Sequence, residues 1–256
     1  MVLIDAHAHM ADKAFAADLE AVLEAAAAVG VGGIITVGEN LEDAQRVLEL
    51  AEKFSLLKPC AGLYPETLDL AMADAMVTFI RAHRDRLVGI GEVGLDHWVV
   101  KEAEGWAVQE HTFAQFVALS EECDLPLNVH SRSAGRHTIR FLREKGARKV
   151  LMHAFDGKAS AALEGIEAGY YFSIPPSVVR SPQKQKLLRH LPLDRLVLES
   201  DSPVLGPDPT ARNEPKNVLV ACEAIALAKG VSLAEAARVT TENALRLFPK
   251  AFSSLP

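Results

Sequence analysis

The chain has 256 residues, 49% of them hydrophobic and 24% charged, the balance of a globular protein with one large domain or two small ones. Its formal charge of −7 excludes broad, sequence-blind coating of nucleic acid, which draws on many lysine and arginine contacts to phosphates. It does not exclude a phosphate-processing protein whose carboxylates hold divalent cations.

Taken in order, short β-rich runs alternate with helical patterns. "VLIDAHAH" is followed by "DLEAVLEAAAAVG", "GGIITVG" by "LEDAQRVLELAEKF", "LKPCAGLY" by "LAMADAMVTFIRAHRD", and "LVGIGEVG" by "AVQEHTFAQFVALSEECD". Further on, "LPLNVHS" precedes "GRHTIRFLREKG", "KVLMHAF" precedes "ASAALEGIEAG", and "YYFSIPP" precedes "PQKQKLLRHL". The last run, "RLVLESD", leads into "NVLVACEAIALAKG" and "SLAEAARVTTENALRLF". Most helical stretches carry apolar residues at three-and-four spacing, and Gly30, Gly146, Gly169 and Gly230 close four of them.

Strict alternation of this kind implies right-handed crossovers and a parallel sheet. Eight units in about 250 residues predict an α/β protein of the (β/α)8 TIM-barrel class. An open doubly wound sheet would want G-x-G-x-x-G after the first strand, where "HAHMADKA" stands. No linker or low-complexity segment divides the chain, so residues 1–256 are expected to form a single domain.

The three cysteines, Cys60, Cys123 and Cys222, are widely spaced and lack a C-x-x-C pattern, as expected of free thiols in a reducing compartment. No window approaches the roughly 18 apolar residues of a membrane span. A cytoplasmic protein with no membrane attachment and no obligate protein partner is the expectation.

Barrel enzymes draw their reactive groups from the C-terminal ends of the strands. Those ends here hold Asp5, His7 and His9, then Glu92, His130, His153 and Asp201. Alternation along the first strand projects His7 and His9 together, with Asp5 beneath them. Imidazole and carboxylate are ligands for zinc, manganese and similar ions, and the set suffices for two divalent metals, with Glu92 as the natural bridge. Two metals about 3.5–4 Å apart activate a water and stabilise the leaving oxygen of a phosphodiester. Singly, His130 and His153 read more readily as core histidines than as ligands. Their coincidence at one end of the predicted strands points to metal, and an acid such as Glu92 in an apolar strand is costly without a cation or donor. By the same rule Asp201 is expected to touch a metal and orient or deprotonate water. Glu199, which strand alternation puts on the same face as Asp201, and Asp5 are expected to stand behind the ligands and orient them. His83, His111, His137 and His190 read as solvated helix residues, and His97 stays open.

These motifs resemble the TatD family of metal-dependent deoxyribonucleases over nearly the whole chain. "DAHAHM", "GEVGLD", "NVHSR", "HAFDG" and "LESDSP" resemble its metal-site motifs, and "NVHSRSAGR", "FSIPPS" and "RNEP" are closest to one branch of it. The resemblance implies an amidohydrolase-like TIM barrel and two or three divalent ions (zinc, magnesium or manganese) on His7, His9, Glu92, His130, His153 and Asp201. It also implies hydrolysis of DNA, often from the 3′ end of single strands. Many members carry G-x-H-P after the third strand, whereas "GLYP" here puts Tyr64 in the histidine's place, without its positive charge.

Substrate contacts are expected from Arg132, two residues past a ligand, and from Tyr64, Arg212 and Asn213. Arg136, Arg140 and Arg143 read as the barrel's solvated exterior, while Trp98 and Trp106 could stack on bases or form a packed lid. Two other functions share the ligand set. One is hydrolysis of another ester, such as D-aminoacyl-tRNA, and the other is a metal-binding scaffold without turnover. The carboxylated lysine of the cyclic amidohydrolases has no counterpart in "LVGIGEVGLD".

Overall fold

A computed structural model describes residues 1–252, and residues 253–256 lie outside it. Eight strands close into a parallel barrel in sequence order: β1 (Leu3–Ala8), β2 (Val31–Thr36), β3 (Leu57–Ala61), β4 (Gly89–Gly94), β5 (Leu127–His130), β6 (Val150–Met152), β7 (Tyr171–Ile174) and β8 (Leu196–Leu198). Pairing of Asp5 with Leu198 closes the ring between β1 and β8. Around it run α1 (Leu19–Ala28), α2 (Leu41–Lys53), α3 (Leu70–His83), α4 (Ala103–Cys123), α5 (Gly135–Glu144), α6 (Ala159–Glu167) and α7 (Pro182–His190). After β8 come α8 (Val218–Lys229) and α9 (Leu233–Leu247). The TIM-barrel expectation holds, and among the described residues no single helix is long and apolar enough to cross a membrane.

Local chemistry sets the helix boundaries. The side chains of Asn40, Asp69, Ser181 and Ser232 each accept a backbone N–H in the first turn of α2, α3, α7 and α9, satisfying donors that the helix itself leaves free. Gly230 ends α8 in the left-handed conformation its sequence position predicts. One boundary departs from expectation: α4 begins at Ala103, four residues before "AVQEHTF", and takes in Trp106.

Two apolar layers hold the barrel. The larger lies between strands and helices. The smaller lines the inside of the barrel: Ile4, Ile35, Cys60, Leu151 and Val197 pack against Phe248 and Phe252 at the end of the chain. That plug explains "VGG" in β2, since a Cβ on Gly33 would stand 2.4 Å from the Phe252 ring. The N-terminal end of the barrel is thereby filled with hydrocarbon, and the ionisable groups are left to the other end.

Candidate metal centre

His7 comes from β1, and His9 follows immediately after it. Hydrogen bonds from the Asp201 N–H to the His7 carbonyl (2.9 Å) and from the His9 N–H to the Ser202 carbonyl (2.8 Å) lace the loop after β8 onto β1. This lacing holds Asp201 at a φ of 55°, in the left-handed region. Glu92 and His130 stand on neighbouring strands that approach closely. Gly94 makes this possible, because at its φ of 146° a Cβ would fall 2.0 Å from the His130 carbonyl oxygen.

Glu92 lies at the centre and is buried. Its Oε1 is 2.6 Å from His130 Nδ1 and 3.0 Å from His153 Nε2. Its Oε2 faces the other pair, 3.6 Å from His7 Nε2 and 3.5 Å from His9 Nε2. Asp201 Oδ1 completes that side, 3.5 Å from His7 Nε2 and 3.3 Å from His9 Nε2. The ligand atoms thus form two clusters, His7–His9–Asp201 and Glu92–His130–His153, with one carboxylate oxygen turned to each.

Each imidazole also has an oxygen at its outer nitrogen. His7 Nδ1 meets Asn128 Oδ1 at 2.8 Å, and Asn128 in turn donates its amide to the Ala6 carbonyl. The amide is therefore oriented with its oxygen toward His7, which puts the imidazole proton on Nδ1 and the lone pair of Nε2 toward the cluster. His9 Nδ1 lies 3.6 Å from Glu39, His130 Nε2 lies 2.9 Å from Asp96, and His153 Nδ1 lies 3.5 Å from Glu199. Hydrogen-bonded outer partners such as Asn128 and Asp96 fix ring orientation and raise ligand basicity.

The electrostatics follow from burial and these pairs. Burial disfavours charge on Glu92, but His153 and His130 overcome it and hold the carboxyl well below its ordinary range. Burial also opposes the charge on His9, yet Asp201, Glu92 and Glu39 lift its pKa to about 9. The His153 pKa is raised well above its ordinary value, with Glu92 and Glu199 outweighing burial. His7, fully buried and beside His153, is pushed down to about 3. Burial raises Asp96 less than its bonds to His130 and to two backbone N–H groups lower it, leaving it at about 2.

The structure brings together His7, His9, Glu92, His130, His153 and Asp201. Asp5 and Glu199 lie behind them. Asp5 Oδ1 accepts the N–H groups of Ser200 (2.8 Å) and His7 (3.2 Å), and burial lifts its pKa to about 8. Glu199 accepts from the Ala154 N–H and the Ser173 hydroxyl. The two acids of "LESD" do not share a face by strand alternation as expected, because β8 ends at Leu198 and the chain turns through Asp201. Glu199 serves His153, whereas Asp201 serves His7 and His9.

Above the centre opens a cavity of about 490 Å³ whose walls include Tyr64, Arg132 and Lys184. The Tyr64 hydroxyl, 3.4 Å from His130 Nε2, donates to Asp96. Arg132 is exposed, with its guanidinium 5.2 Å from the centre of the Trp98 ring. Arg212 and Asn213, expected as substrate contacts, are engaged with the protein itself in the structure. Arg212 forks onto Asp18 at 2.8 and 2.6 Å and also reaches Glu214. Asn213 is buried and donates to the carbonyls of Ser200 and Val204, clamping the loop that carries Asp201. Trp106 is the packed lid rather than a base platform: it donates to the Val100 carbonyl and stacks on His97, which stands outside both ligand clusters. Arg136, Arg140 and Arg143 pair with Glu164 and Glu144 on the exterior.

Asp96, Asn128, Glu39 and Lys184 were not singled out from the sequence. Asn128 was the most accessible of them, being a polar residue two positions before His130 on a buried strand. Asp96 lies inside "GEVGLD" but beyond its strand.

The family model described as TatD related DNase matches residues 4–249. The chain belongs to this family. It is 46% identical to "Putative deoxyribonuclease TATDN3" of Mus musculus, over 99% of this chain and 90% of that protein. It is also 35% identical to "Uncharacterized metal-dependent hydrolase YabD" of Bacillus subtilis, over 96% of this chain and 99% of the other. Among solved structures, the TatD homolog YjjV of Escherichia coli superposes with a TM-score of 0.89 at 26% identity, covering 96% of this chain and 98% of that one.

Proposed function

We propose that this TatD-family protein is a metal-dependent phosphodiesterase that degrades DNA, working from the 3′ end of single strands, with two divalent ions held on either side of Glu92. The observation that carries the reading is the turning of the two Glu92 oxygens to separate pairs of imidazoles. The donor set fits divalent cations: imidazole nitrogens and carboxylate oxygens converge in a buried space, where unpaired carboxylates would be costly. His7, His9, Asp201 and Glu92 Oε2 would hold one ion, and Glu92 Oε1, His130 and His153 the other. Zinc, manganese and magnesium all suit parts of this set.

Bound divalent ions lower the pKa of water and offset charge on a phosphate. The chain's own residues do the rest. Asp201, fixed by the loop's bonds to β1, stands at the cavity wall, and its second carboxylate oxygen, the one not turned to His7 and His9, would accept the proton of the attacking water. Arg132 offers a planar donor pair to a phosphate. Trp98, 56% exposed beside it, gives an unpaired base a ring to stack on, which favours single strands. The cavity of about 490 Å³ is sized to enclose a small ligand or a strand end.

The test is degradation of end-labelled single-stranded DNA, double-stranded DNA and RNA by wild type and Glu92→Gln. Single-stranded DNA shortened from its 3′ end is expected, with the variant at least ~100-fold slower, beyond the usual effect of losing an outer partner of a ligand. Equal activity in the two proteins would refute the reading.

A further inference from the structure

The cavity over the metal centre is walled by four carboxylates, Glu39, Glu92, Asp156 and Asp201, against two basic side chains, Arg132 and Lys184. A phosphate anion entering there needs fixed positive charge from the protein as well as from bound ions. Arg132 is exposed and rests on Trp98. Lys184 is different. It belongs to α7, whose first turn is set by Pro182 and by the Ser181 hydroxyl accepting the Lys184 N–H.

A lysine on an outer helix ordinarily extends its ammonium into water. This one turns inward, and its Nζ donates to the Ala154 carbonyl at 2.9 Å. Ala154 follows the ligand His153, sits at a left-handed φ of 43°, and gives its own N–H to Glu199. The ammonium is thus tied to the backbone of the metal site. Ordering such a side chain costs conformational entropy, and no carboxylate among the described residues lies within 4.0 Å of Nζ to offset that cost. One of its three N–H donors is used, which leaves two for a ligand. Val204, 55% exposed, and Leu205 add apolar surface to the lining of the same cavity.

We propose that Lys184 is a substrate-binding residue: its two remaining donors take an oxygen of the phosphate presented to the metal centre, while the sugar of that nucleotide rests on Val204 and Leu205. The inference builds on the phosphodiesterase reading and adds a second contact to that of Arg132 in the same cavity. A merely structural lysine, balancing Asp156, Glu199 and Asp201, would instead support the fold and the metals.

The experiment titrates inorganic phosphate by calorimetry into metal-loaded wild type, Lys184→Met and Lys184→Arg. In parallel, metal content, thermal midpoint and kcat/KM on single-stranded DNA and on bis(4-nitrophenyl) phosphate are measured. Lys184→Met should keep its metals and midpoint while phosphate affinity and both kcat/KM values fall by about 10-fold or more, the usual effect of one charge-assisted hydrogen bond. Lys184→Arg should recover most of the phosphate affinity. Phosphate affinity in Lys184→Met within twofold of wild type would overturn the assignment. If Lys184→Met loses metals or midpoint, Lys184→Arg decides: it should retain both and bind phosphate, and weakened phosphate binding there would also overturn it. A wild type that cleaves the small diester but not DNA would refute the DNA reading, and the phosphate titration would still judge the lysine.

Discussion

The two ends of this barrel are built from opposite materials. At the N-terminal end Phe248 and Phe252 seal the interior against Ile4, Ile35, Cys60 and Val197, all of them buried. At the C-terminal end β1, β4, β5, β6 and β8 lead into imidazoles and carboxylates, and four of the five described non-glycine residues at positive φ lie in the loops there: Ser133, Ala154, Asp201 and Leu205. Hydrocarbon packing tolerates no such strain for its own sake. The contrast indicates that the lower end supplies the stability that lets the upper end hold buried charges and unfavourable backbone.

The sharpest way to break that division is to open the plug. Phe248→Ala should cost about 3–5 kcal/mol of stability in urea unfolding, yet leave metal content unchanged and kcat/KM within twofold at a temperature where the protein is folded. A large loss of metal with little loss of stability would show that the two ends are not separable.

A smaller effect is expected behind the ligands. Asn128→Ala removes the oxygen that fixes the His7 ring and should weaken metal affinity about 10–100-fold. A competition titration with a chromogenic chelator measures it, and an unchanged affinity would remove Asn128 from the site.

The last effect is graded with pH and concerns Asp5, whose carboxyl burial raises to about 8. Because the folded state then binds a proton that the unfolded state releases near pH 3.8, stability must fall as pH rises from about 4 toward 8. In protein stripped of divalent ions, the unfolding free energy of wild type should drop faster than that of Asp5→Asn, by about 1 kcal/mol per pH unit in this window. Parallel pH profiles would show that Asp5 is ionised in the fold.

Much of this was legible in the sequence, for a physical reason. Barrel topology places every strand end at one mouth, so locating "DAHAH", "GEVG", "NVH", "MHA" and "LESD" on their strands was enough to assemble six side chains that now converge in space. What the sequence left open depended on loops. Arg212 and Asn213 looked like substrate contacts from their charge and polarity, but the loop after β8 folds back so that one binds Asp18 on the edge of α1 and the other binds its own backbone. Alternation placed Glu199 and Asp201 together, and it lapsed once the strand had ended. Lys184 left no signal, because nothing in a helical "PQKQK" tells which lysine turns toward the barrel mouth.

The central claim is that Glu92 joins two metal sites, and counting ions tests it most directly. Elemental analysis of wild type and Glu92→Gln, each equilibrated with one divalent metal and freed of excess, should give two ions per wild-type chain and fewer than two in the variant. One ion per wild-type chain, or two retained in both proteins, would contradict the account.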